Sequence, residues 1–402
     1  MKQEATTALV PKLRFPEFRG AQGWTTRRLG DFLSESRLPG NKGNAARKIT
    51  VKLWGKGVFE KNEAIQGSVN TQYYRRKAGQ FIYSKLDFLN QAFGIIPDNL
   101  DQYESAVDLP CFDISYGLNP SFLLEYVKRK EFYARLGETA DGSRKARRIH
   151  PDVFLSFPVS LPSTSEQQKI ADCLSALDEL IATQSQKVDA LKTNKNGLMQ
   201  RLFPREGETQ PRLRFPEFQD AGEWAVTPLC KMAENLDSQR VPIASGKRTA
   251  GGIPYHGASG IVDYVEGYIF DEDLLCVSED GANLVARTYP IAFPISGKTW
   301  VNNHAHVLRF ESPCTQKFVE VYLNSIKLDD FITGMAQPKL NKAMLDRIPI
   351  PYTSIKEQHR IASCLSSLDA LITAETQKLE ALKTHKKGLM QQLFPAPGEN
   401  EP

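Results

Sequence analysis

Basic and aromatic side chains are grouped in two short runs of the first half of the chain, in a pattern suited to nucleic-acid contact. The run TQYYRRKAG places tyrosines and arginines side by side, and DGSRKARRIH places four cations after a glycine turn. Arginine can donate two hydrogen bonds to a guanine edge or a phosphate, whereas lysine mostly binds the backbone. A solvated charged face is the alternative for either run. The candidate DNA contacts in this half are Tyr73, Tyr74, Arg75, Arg76, Arg144, Lys145, Arg147 and Arg148.

The second half has a different set of polar side chains, richer in amides and histidines, within ASGKRTAGG, IPYHGASG, TWVNNHAHV and GMAQPKLN. Asparagine and glutamine can pair with adenine edges, so these segments also suit base reading. His304 and His306 alternate along a strand and could hold a metal, but no third ligand of suitable spacing follows. We therefore favour a structural or DNA-facing histidine pair. The candidate DNA contacts here are Lys247, Arg248, Tyr255, His256, Asn302, Asn303, His304, Gln337 and Lys339.

Motifs that carry catalytic chemistry are absent from the sequence. It contains no GxxxxGK[ST] phosphate loop, no HExxH and no GxSxG. No acidic residue is followed two positions later by lysine, the pair that metal-dependent nucleases often use. The string Asn119-Pro120-Ser121-Phe122 lacks the second proline of an adenine methyltransferase loop and is typical of a helix start. The sequence therefore predicts a binding protein without catalytic residues, bound metal or cofactor.

The elements that position these side chains are organised by an internal repeat. PKLRFPEFRGAQGW at 11–24 recurs as PRLRFPEFQDAGEW at 211–224, with about nine of 14 positions identical. The segment at 166–204 recurs at 357–395, with about 25 of 39 positions identical. Between the repeated segments lie two dissimilar stretches, 25–162 and 225–352, each about the size of one domain. Two copies of the same pair of repeated segments, which we call the frame, therefore flank two different inserts.

Each long repeated segment has the apolar spacing of a coiled-coil helix. Alternating steps of four and three residues give eight apolar positions in each copy, and no proline interrupts either segment before Pro204 or Pro395. Packing of each stripe on its own domain is the alternative to pairing. A parallel pair would bring Lys195 and Lys386 together, so antiparallel pairing is favoured. The predicted pairing residues are Ile170, Leu174, Leu177, Ile181, Val188, Leu191, Leu198, Leu202, Ile361, Leu365, Leu368, Ile372, Leu379, Leu382, Leu389 and Leu393.

Strand-like and helix-like runs are mixed in both dissimilar stretches, so the predicted fold class is α/β. We expect two mixed α/β domains separated by two long helices that form an antiparallel coiled coil with pseudo-two-fold symmetry. The predicted boundaries are 1–162 for the first domain, 163–204 for the first helix, 205–352 for the second domain and 353–395 for the second helix. Residues 396–402 are predicted to be a disordered tail.

The composition fits this architecture and excludes several other classes. The chain has 402 residues, of which 41% are hydrophobic and 24% charged, so it is not a largely disordered protein. No apolar run approaches the roughly 18 residues of a membrane span, and the first ten residues lack a secretory signal. The six cysteines form no CxxC pair. We predict a cytoplasmic protein with no membrane contact, whose net charge of +4 does not by itself indicate a nucleic-acid binder.

These residues together resemble the specificity (S) subunits of type I restriction–modification systems. The resemblance is carried by the duplicated LRFPEF segments, by the EQ…IA.CLS.LD.LI…GLMQ.LFP helices, and by GIPYHGASGIVDY…SEDGANL…WVNNHAHVLRF. It implies two target recognition domains that each read one half of a bipartite, asymmetric double-stranded DNA site. It also implies that the paired helices act as a spacer and dock two methyltransferase subunits, which methylate adenine, and restriction subunits. The S subunit itself would hold no cofactor and do no chemistry.

Two other functions are compatible with the same pattern. A stand-alone two-domain DNA-binding regulator could use this design, and a structural coiled-coil protein without DNA contact is less favoured. The first dissimilar stretch lacks the GASG and NNHAH strings of the second. This difference concerns its target sequence and leaves its predicted role unchanged.

Overall fold

The computed structural model describes residues 9–62, 67–138, 148–205, 207–334 and 337–395. The predicted tail at 396–402 lies outside the described residues. The chain forms two compact units, Met1–Gln184 with Lys378–Pro402 and Ser185–Gln377. Each unit therefore combines one mixed α/β domain with one half of each long helix.

The first unit is built on short antiparallel strands. The four-stranded sheet has the order β2-β10-β7-β8, a three-stranded sheet has the order β3-β6-β9, and β4-β5 and β1-β11 form two-stranded pairs. The strands are β1 Thr25–Arg28, β2 Leu33–Ser36, β3 Pro39–Lys42, β4 Ile49–Lys52, β5 Gly57–Glu60, β6 Gln72–Arg75, β7 Phe81–Tyr83, β8 Phe93–Ile95, β9 Glu104–Ser105, β10 Cys111–Ile114 and β11 Pro158–Leu161. The helices are α1 Pro120–Val127, α2 Lys130–Glu138, α3 Pro151–Ser156 and the long α4 Thr164–Leu202, which continues into the second unit.

Aromatic side chains fill the core of the first domain. Strand β7 is buried on both faces, and Phe81 stacks on Phe154 with ring centroids 5.5 Å apart. The helix-like run SFLLEYVKRKEFYARLG at 121–137 forms two helices, α1 and α2, which are separated at Lys128 and Arg129. Asn119 begins α1 by accepting a hydrogen bond from the Phe122 amide (2.9 Å), which confirms the helix-start interpretation of the NPSF string.

The second unit contains two four-stranded sheets. The first has the order β13-β20-β17-β18 and the second β15-β14-β19-β16, while β12 and β21 form a two-stranded pair. The strands are β12 Ala225–Pro228, β13 Glu234–Asn235, β14 Ala250–Gly257, β15 Gly260–Val265, β16 Phe270–Asp271, β17 Leu274–Ser278, β18 Ala292–Ile295, β19 Lys298–Val301, β20 Ala305–Arg309 and β21 Pro349–Tyr352. The helices are α5 Asn283–Ala286, α6 Pro313–Ser325, α7 Lys342–Asp346 and the long α8 Ile355–Leu393, which continues into the first unit.

The two domains share a structural frame that their sequences do not reveal. In each, a two-stranded pair joins the start of the domain to the strand before a long helix: β1 with β11, and β12 with β21. Each also has a four-stranded sheet of the same order, in which β10, the strand before α1, and β20, the strand before α6, take the same inner position. The remaining strands differ: β3, β6 and β9 form a three-stranded sheet in the first domain, whereas β15, β14, β19 and β16 form a four-stranded sheet in the second.

Both predicted long helices are confirmed. Helices α4 and α8 each contain 39 residues, or about 58 Å at 1.5 Å per residue. Ser163 and Ser354 lie just before them, and each hydroxyl accepts a hydrogen bond from the amide three residues on, at 3.3 Å. Pro204 and Pro395 follow the last turns, where a proline cannot continue a helix.

Within each unit the helix halves pack against each other in antiparallel directions. In the second unit Lys187 pairs with Glu375 and Lys195 pairs with Asp369, both at 2.5 Å, so partner numbers fall as residue numbers rise. In the first unit Lys386 pairs with Asp178 at 2.6 Å. All sixteen predicted pairing residues are buried or partly buried. The predicted antiparallel coiled coil is therefore confirmed, with Lys195 in one unit and Lys386 in the other.

The LRFPEF segment closes the first unit through Arg14. Its guanidinium donates from Nε and Nη2 to the two carboxylate oxygens of Glu166 (2.8 and 2.6 Å), and also to the carbonyls of Ala21 and Gln22. The side chains of Arg14 and Glu166 are only 6% and 1% exposed. The Leu13 amide donates to the Gln392 carbonyl at 2.9 Å. The segment thus joins the first turn of α4 to the last turn of α8.

The second unit repeats this closure with its own residues. Arg214 donates to both carboxylate oxygens of Glu357 (2.7 and 2.8 Å), and their side chains are 8% and 1% exposed. The Leu213 amide donates to the Arg201 carbonyl at 2.8 Å. The repeated sequence therefore encodes one buried, two-bond ion pair per unit, which holds together the ends of two helices.

Candidate nucleic-acid interface

Three of the candidates in the first domain lie together on β6. Tyr73 and Tyr74 are partly exposed and Arg75 is exposed. The neighbouring Arg47, which the sequence reasoning missed, is exposed and lies over the Tyr103 ring at 4.0 Å from its centroid. The run of cations before β4 was the signal that could have identified it. Because neighbouring residues of a strand point to opposite faces, Tyr73 and Arg75 share one side of β6, whereas Tyr74 lies on the other side, next to Arg76. Tyr73 and Arg75 thus offer an aromatic ring and a guanidinium group to a polyanion.

Arg76 does not belong to this surface, and its prediction as a DNA contact is wrong. The residue is 2% exposed. Its guanidinium donates to the Ser105 hydroxyl (2.8 Å) and to the carbonyls of Ser36 (2.6 Å) and Leu109 (3.2 Å). Burial lowers its pKa below the ordinary value. Arg76 lies just after the end of β6 and points inward, where it joins three segments of the domain.

The second basic cluster is only partly described. Arg148 is exposed and lies 3.7 Å from the Asp108 carboxylate. Arg144, Lys145 and Arg147 lie outside the described residues. Arg148 remains a candidate contact, because an exposed ion pair of this length is weak and its guanidinium can reach another anion.

The two basic residues before β14, Lys247 and Arg248, have different surroundings. Lys247 is exposed. Arg248 binds the Asp263 carboxylate at 3.0 Å and lies 4.4 Å from the Tyr255 ring centroid. Tyr255 is 1% exposed, and its hydroxyl accepts from the Ile243 amide at 2.9 Å. The prediction of Tyr255 as a DNA contact is therefore wrong, since it is a core residue that supports Arg248.

His256 and Asn302 were predicted as DNA contacts, but both are interior residues whose side chains are closed off from a DNA surface. His256 is 7% exposed, and burial lowers the pKa of its imidazole, which favours the neutral ring. Asn302 is 6% exposed, and its side-chain oxygen accepts from the His304 amide at 2.8 Å. Asn302 thereby shapes the turn between β19 and β20 that presents Asn303 and His304, both of which are exposed.

Two further segments meet this turn. The Glu279 amide donates to the His304 carbonyl (2.9 Å), and the Gly281 amide donates to the Pro338 carbonyl (3.0 Å). Lys339 is exposed and pairs with Glu279 at 3.2 Å, and Gln337 is exposed beside it. The residues that the structure brings together in the second domain are Asn303, His304, Gln337 and Lys339.

A buried charged cluster packs beneath the exposed residues Asn303, His304, Gln337 and Lys339. The ring nitrogens of His306, which is 1% exposed, lie 2.6 Å from Asp237 Oδ2 and 2.7 Å from the Leu340 carbonyl. Burial alone would raise the pKa of Asp237, but the hydrogen bond to His306 and the nearby Arg240 lower it. The sequence reasoning missed Asp237, Glu279 and Arg240, whose contacts join segments far apart in the chain.

The same cluster has the composition of a metal site, with Asp237, Glu279 and His306 atoms within 4.8 Å of one another. Arg240 already supplies a cation there: it donates to Glu279 at 2.7 Å and lies 3.4 Å from Asp237. His304 faces a different carboxylate, that of Asp280, at 2.7 Å. The histidine pair of the sequence is thus divided between a surface turn and an interior network.

Comparison with known proteins assigns the chain to a family. Residues 22–193 and 222–384 match the model of the type I restriction modification DNA specificity domain. The chain belongs to this family. The resemblance predicted from the duplicated segments is thereby confirmed, and each match contains one of the two dissimilar stretches together with most of one long helix.

Several specificity subunits are similar in sequence. A protein assigned as a type I restriction enzyme specificity subunit in Haemophilus influenzae is 37% identical over 149 residues, which are 37% of this chain and 38% of that protein. The MjaX protein of Methanocaldococcus jannaschii, likewise assigned, is 25% identical over 68% of this chain and 66% of its own. The chain therefore spans less than two thirds of the length of these two relatives. The MjaVIII specificity subunit of the same organism is 24% identical over 95% of this chain and 93% of its own.

Solved structures confirm the predicted fold. The crystal structure of an S subunit from M. genitalium superposes with a TM-score of 0.61 and 14% identity, covering 97% of this chain and all of that one. A chain from work on complex assembly and conformational transition of the type I restriction–modification system superposes with a TM-score of 0.55 and 15% identity, covering 96% and 100%. At these identities the likeness concerns the fold. Among the described residues, no helix combines the length and apolarity needed to cross a bilayer.

Proposed function

We propose that the chain is the sequence-specific DNA-recognition subunit of a type I restriction–modification complex. Each domain reads one half of a bipartite, asymmetric double-stranded DNA site. The chain docks two adenine-methyltransferase subunits and restriction subunits, does no chemistry itself, binds no cofactor and acts in the cytoplasm. The observation that carries this proposal is that a family match to DNA specificity domains falls on both copies of a duplicated frame.

The unlike surfaces of the two domains support reading of an asymmetric site. The first domain exposes Arg75 with two tyrosines, and arginine binds guanine edges or phosphates. The second exposes Asn303 with Gln337, and amides suit adenine edges. The predicted contacts that remain on described surfaces are Tyr73, Tyr74, Arg75, Arg148, Lys247, Arg248, Asn303, His304, Gln337 and Lys339.

Exchange of one domain tests this proposal. Residues 225–352 are replaced by the corresponding domain of another specificity subunit, and the chain is expressed with its methyltransferase. Sequencing of modified adenines in the host genome is expected to show a change in one half-site only. Exchange of residues 25–162 is the matched control and should change the other half-site. A change of both half-sites by either exchange contradicts the modular proposal.

Purification with partners separates the main function from the alternative. The tagged chain is expected to bring down a methyltransferase subunit, identified by mass spectrometry. Binding of the purified chain to specific DNA with no methyltransferase in any preparation would favour the stand-alone regulator instead. Absence of both partner and DNA binding would contradict both functions.

A further inference from the structure

The turn between β4 and β5 holds a tryptophan in an unusual backbone conformation. Trp54 has φ of 62° and the following Gly55 has φ of 65°. Consecutive left-handed residues form the tight hairpin turns that favour Asn-Gly, because a large side chain at the first position is crowded by the backbone. Asparagine would therefore suit this turn better than tryptophan.

The turn is positioned by its main chain and does not depend on the indole. The Trp54 amide donates to the Asn90 carbonyl (2.8 Å), and the Gly55 amide donates to the Gln91 carbonyl (2.9 Å). The Trp54 side chain is 60% exposed, whereas Trp24 and Trp224 are each 3% exposed in their cores. Neither the conformation of the hairpin nor the packing of the domain accounts for tryptophan at this position.

Three lysines lie on or beside the turn that carries the exposed indole, and two of them have other contacts: Lys52 lies over the Phe59 ring and Lys128 pairs with Glu125. Lys52 and Lys56 are exposed on the same hairpin, and the Lys128 side chain passes beside Gly55. Gln91 and Lys128 also line an open groove of about 480 Å³ within the first unit. The other charged residues of that groove are Lys12, Arg129, Lys130, Glu131 and Lys387, so cations outnumber the single carboxylate.

We propose that Trp54 is a DNA-contacting residue of the first domain, whose indole makes an apolar contact with base edges in a groove of the duplex while the neighbouring lysines bind phosphates. This inference rests on the proposed function and adds a residue to its site. The thymine methyl group and the base edges in a groove offer apolar surface to an aromatic side chain, while lysines beside it bind the phosphate backbone. The net positive surroundings favour DNA over an apolar protein surface as the occupant.

Trp54→Asn tests this assignment, because it should leave the fold intact while removing the contact. The complex of the full chain with its methyltransferase is titrated with a duplex that carries the site mapped by adenine-methylation sequencing. We expect about tenfold or greater loss of affinity, the size of one lost base contact in a duplex. The melting temperature should be unchanged or higher, and Trp54→Phe should bind with intermediate affinity. Tyr116→Asn is the matched control, since Tyr116 is a 97% exposed aromatic residue of the same unit.

The remaining outcomes overturn the inference in distinguishable ways. Equal affinity of Trp54→Asn and the unsubstituted complex removes Trp54 from the site and leaves the proposed function standing. A clear fall in melting temperature would make Trp54 a structural residue. Loss of the methyltransferase on purification of Trp54→Asn would assign the indole to a protein contact. Failure of the unsubstituted complex to bind the mapped duplex would overturn the proposed function together with the inference.

Discussion

The two units close in the same way and yet present different surfaces. Arg14 and Arg214 make the same two bonds to a glutamate at a helix start. The first domain presents Trp54 on a hairpin turn, whereas the second presents Asn303 and His304 on the turn between β19 and β20. Each buried arginine must hydrogen-bond to several segments of the chain at once, whereas a side chain on an exposed turn contacts mainly solvent. The exposed residues of the two domains can therefore differ, while the buried arginine–glutamate pair of each unit stays the same.

Removal of the closing arginines should have the largest effect. Arg14→Ala leaves the Glu166 carboxylate buried without its cation, and such losses cost about 3–5 kcal/mol. Arg214→Ala should destabilise the second unit by a similar amount if the two closures are equivalent. Denaturant unfolding followed by hydrogen exchange in each unit measures both effects.

Lys169→Ala is the control for this pair of substitutions. Lys169 pairs with Glu17 at 3.1 Å on the surface, where the two side chains are 49% and 45% exposed. Its removal should change stability by no more than about 0.5 kcal/mol. If Arg214→Ala lowers the free energy of unfolding as little as Lys169→Ala does, the two buried ion pairs are not equivalent.

A second difference concerns buried glutamates on α1 of the first domain and α6 of the second. Burial alone would raise the pKa of Glu125, but Lys128 and Lys386 lower it. Burial raises the pKa of Glu320, which the single contact with Lys317 does not offset. Glu125 therefore contributes stability above its unfolded pKa of about 4.3, and this is lost as pH falls through the folded value. The contribution of Glu320 is present below about pH 4.3 and is lost as pH rises through its higher folded pKa.

Glu125→Gln and Glu320→Gln should consequently differ in sign. At pH 7 we expect Glu125→Gln to destabilise the first unit by about 2 kcal/mol, because Lys386 loses one of its two carboxylates. Glu320→Gln should leave the second unit unchanged or more stable. Unfolding measured between pH 3 and pH 7 should show that the acid weakening of the first unit below about pH 4.3 disappears in Glu125→Gln. Equal pH dependence in both variants would contradict the difference.

The helix ion pairs should give the smallest effects. Lys195→Asp places two carboxylates together with Asp369 in a partly exposed position and should cost about 1 kcal/mol. Adding Asp369→Lys restores opposite charges and should recover much of that loss, as a double-mutant cycle measures. Lys386→Asp should cost more, since Lys386 also contacts Glu125. No recovery in the double variant would show that this pair does not help to set the helix alignment.

Periodicity was sufficient to predict the paired helices, because eight apolar positions recur at one spacing in two copies of the segment. The surface of the domains was less predictable. The sequence around Arg76 does not indicate that β6 ends one residue earlier. It also does not indicate that the buried carbonyls of Ser36 and Leu109 accept hydrogen bonds from the Arg76 guanidinium. Strands β3 and β9, with the sequences PGNK and ES, lack the alternation that marks a strand. Contacts between distant segments decided which polar residues are buried.

The division of the chain between the units has a consequence for its synthesis. The Trp24 ring packs against Phe394, which the ribosome adds roughly 370 residues later. Until then the nascent first unit exposes an aromatic core that lacks its last partner. The second unit, whose segments all lie between Ser185 and Gln377, has its whole sequence available earlier. The half of the protein that begins first is therefore the half that can be completed last, and it depends longest on protection from aggregation.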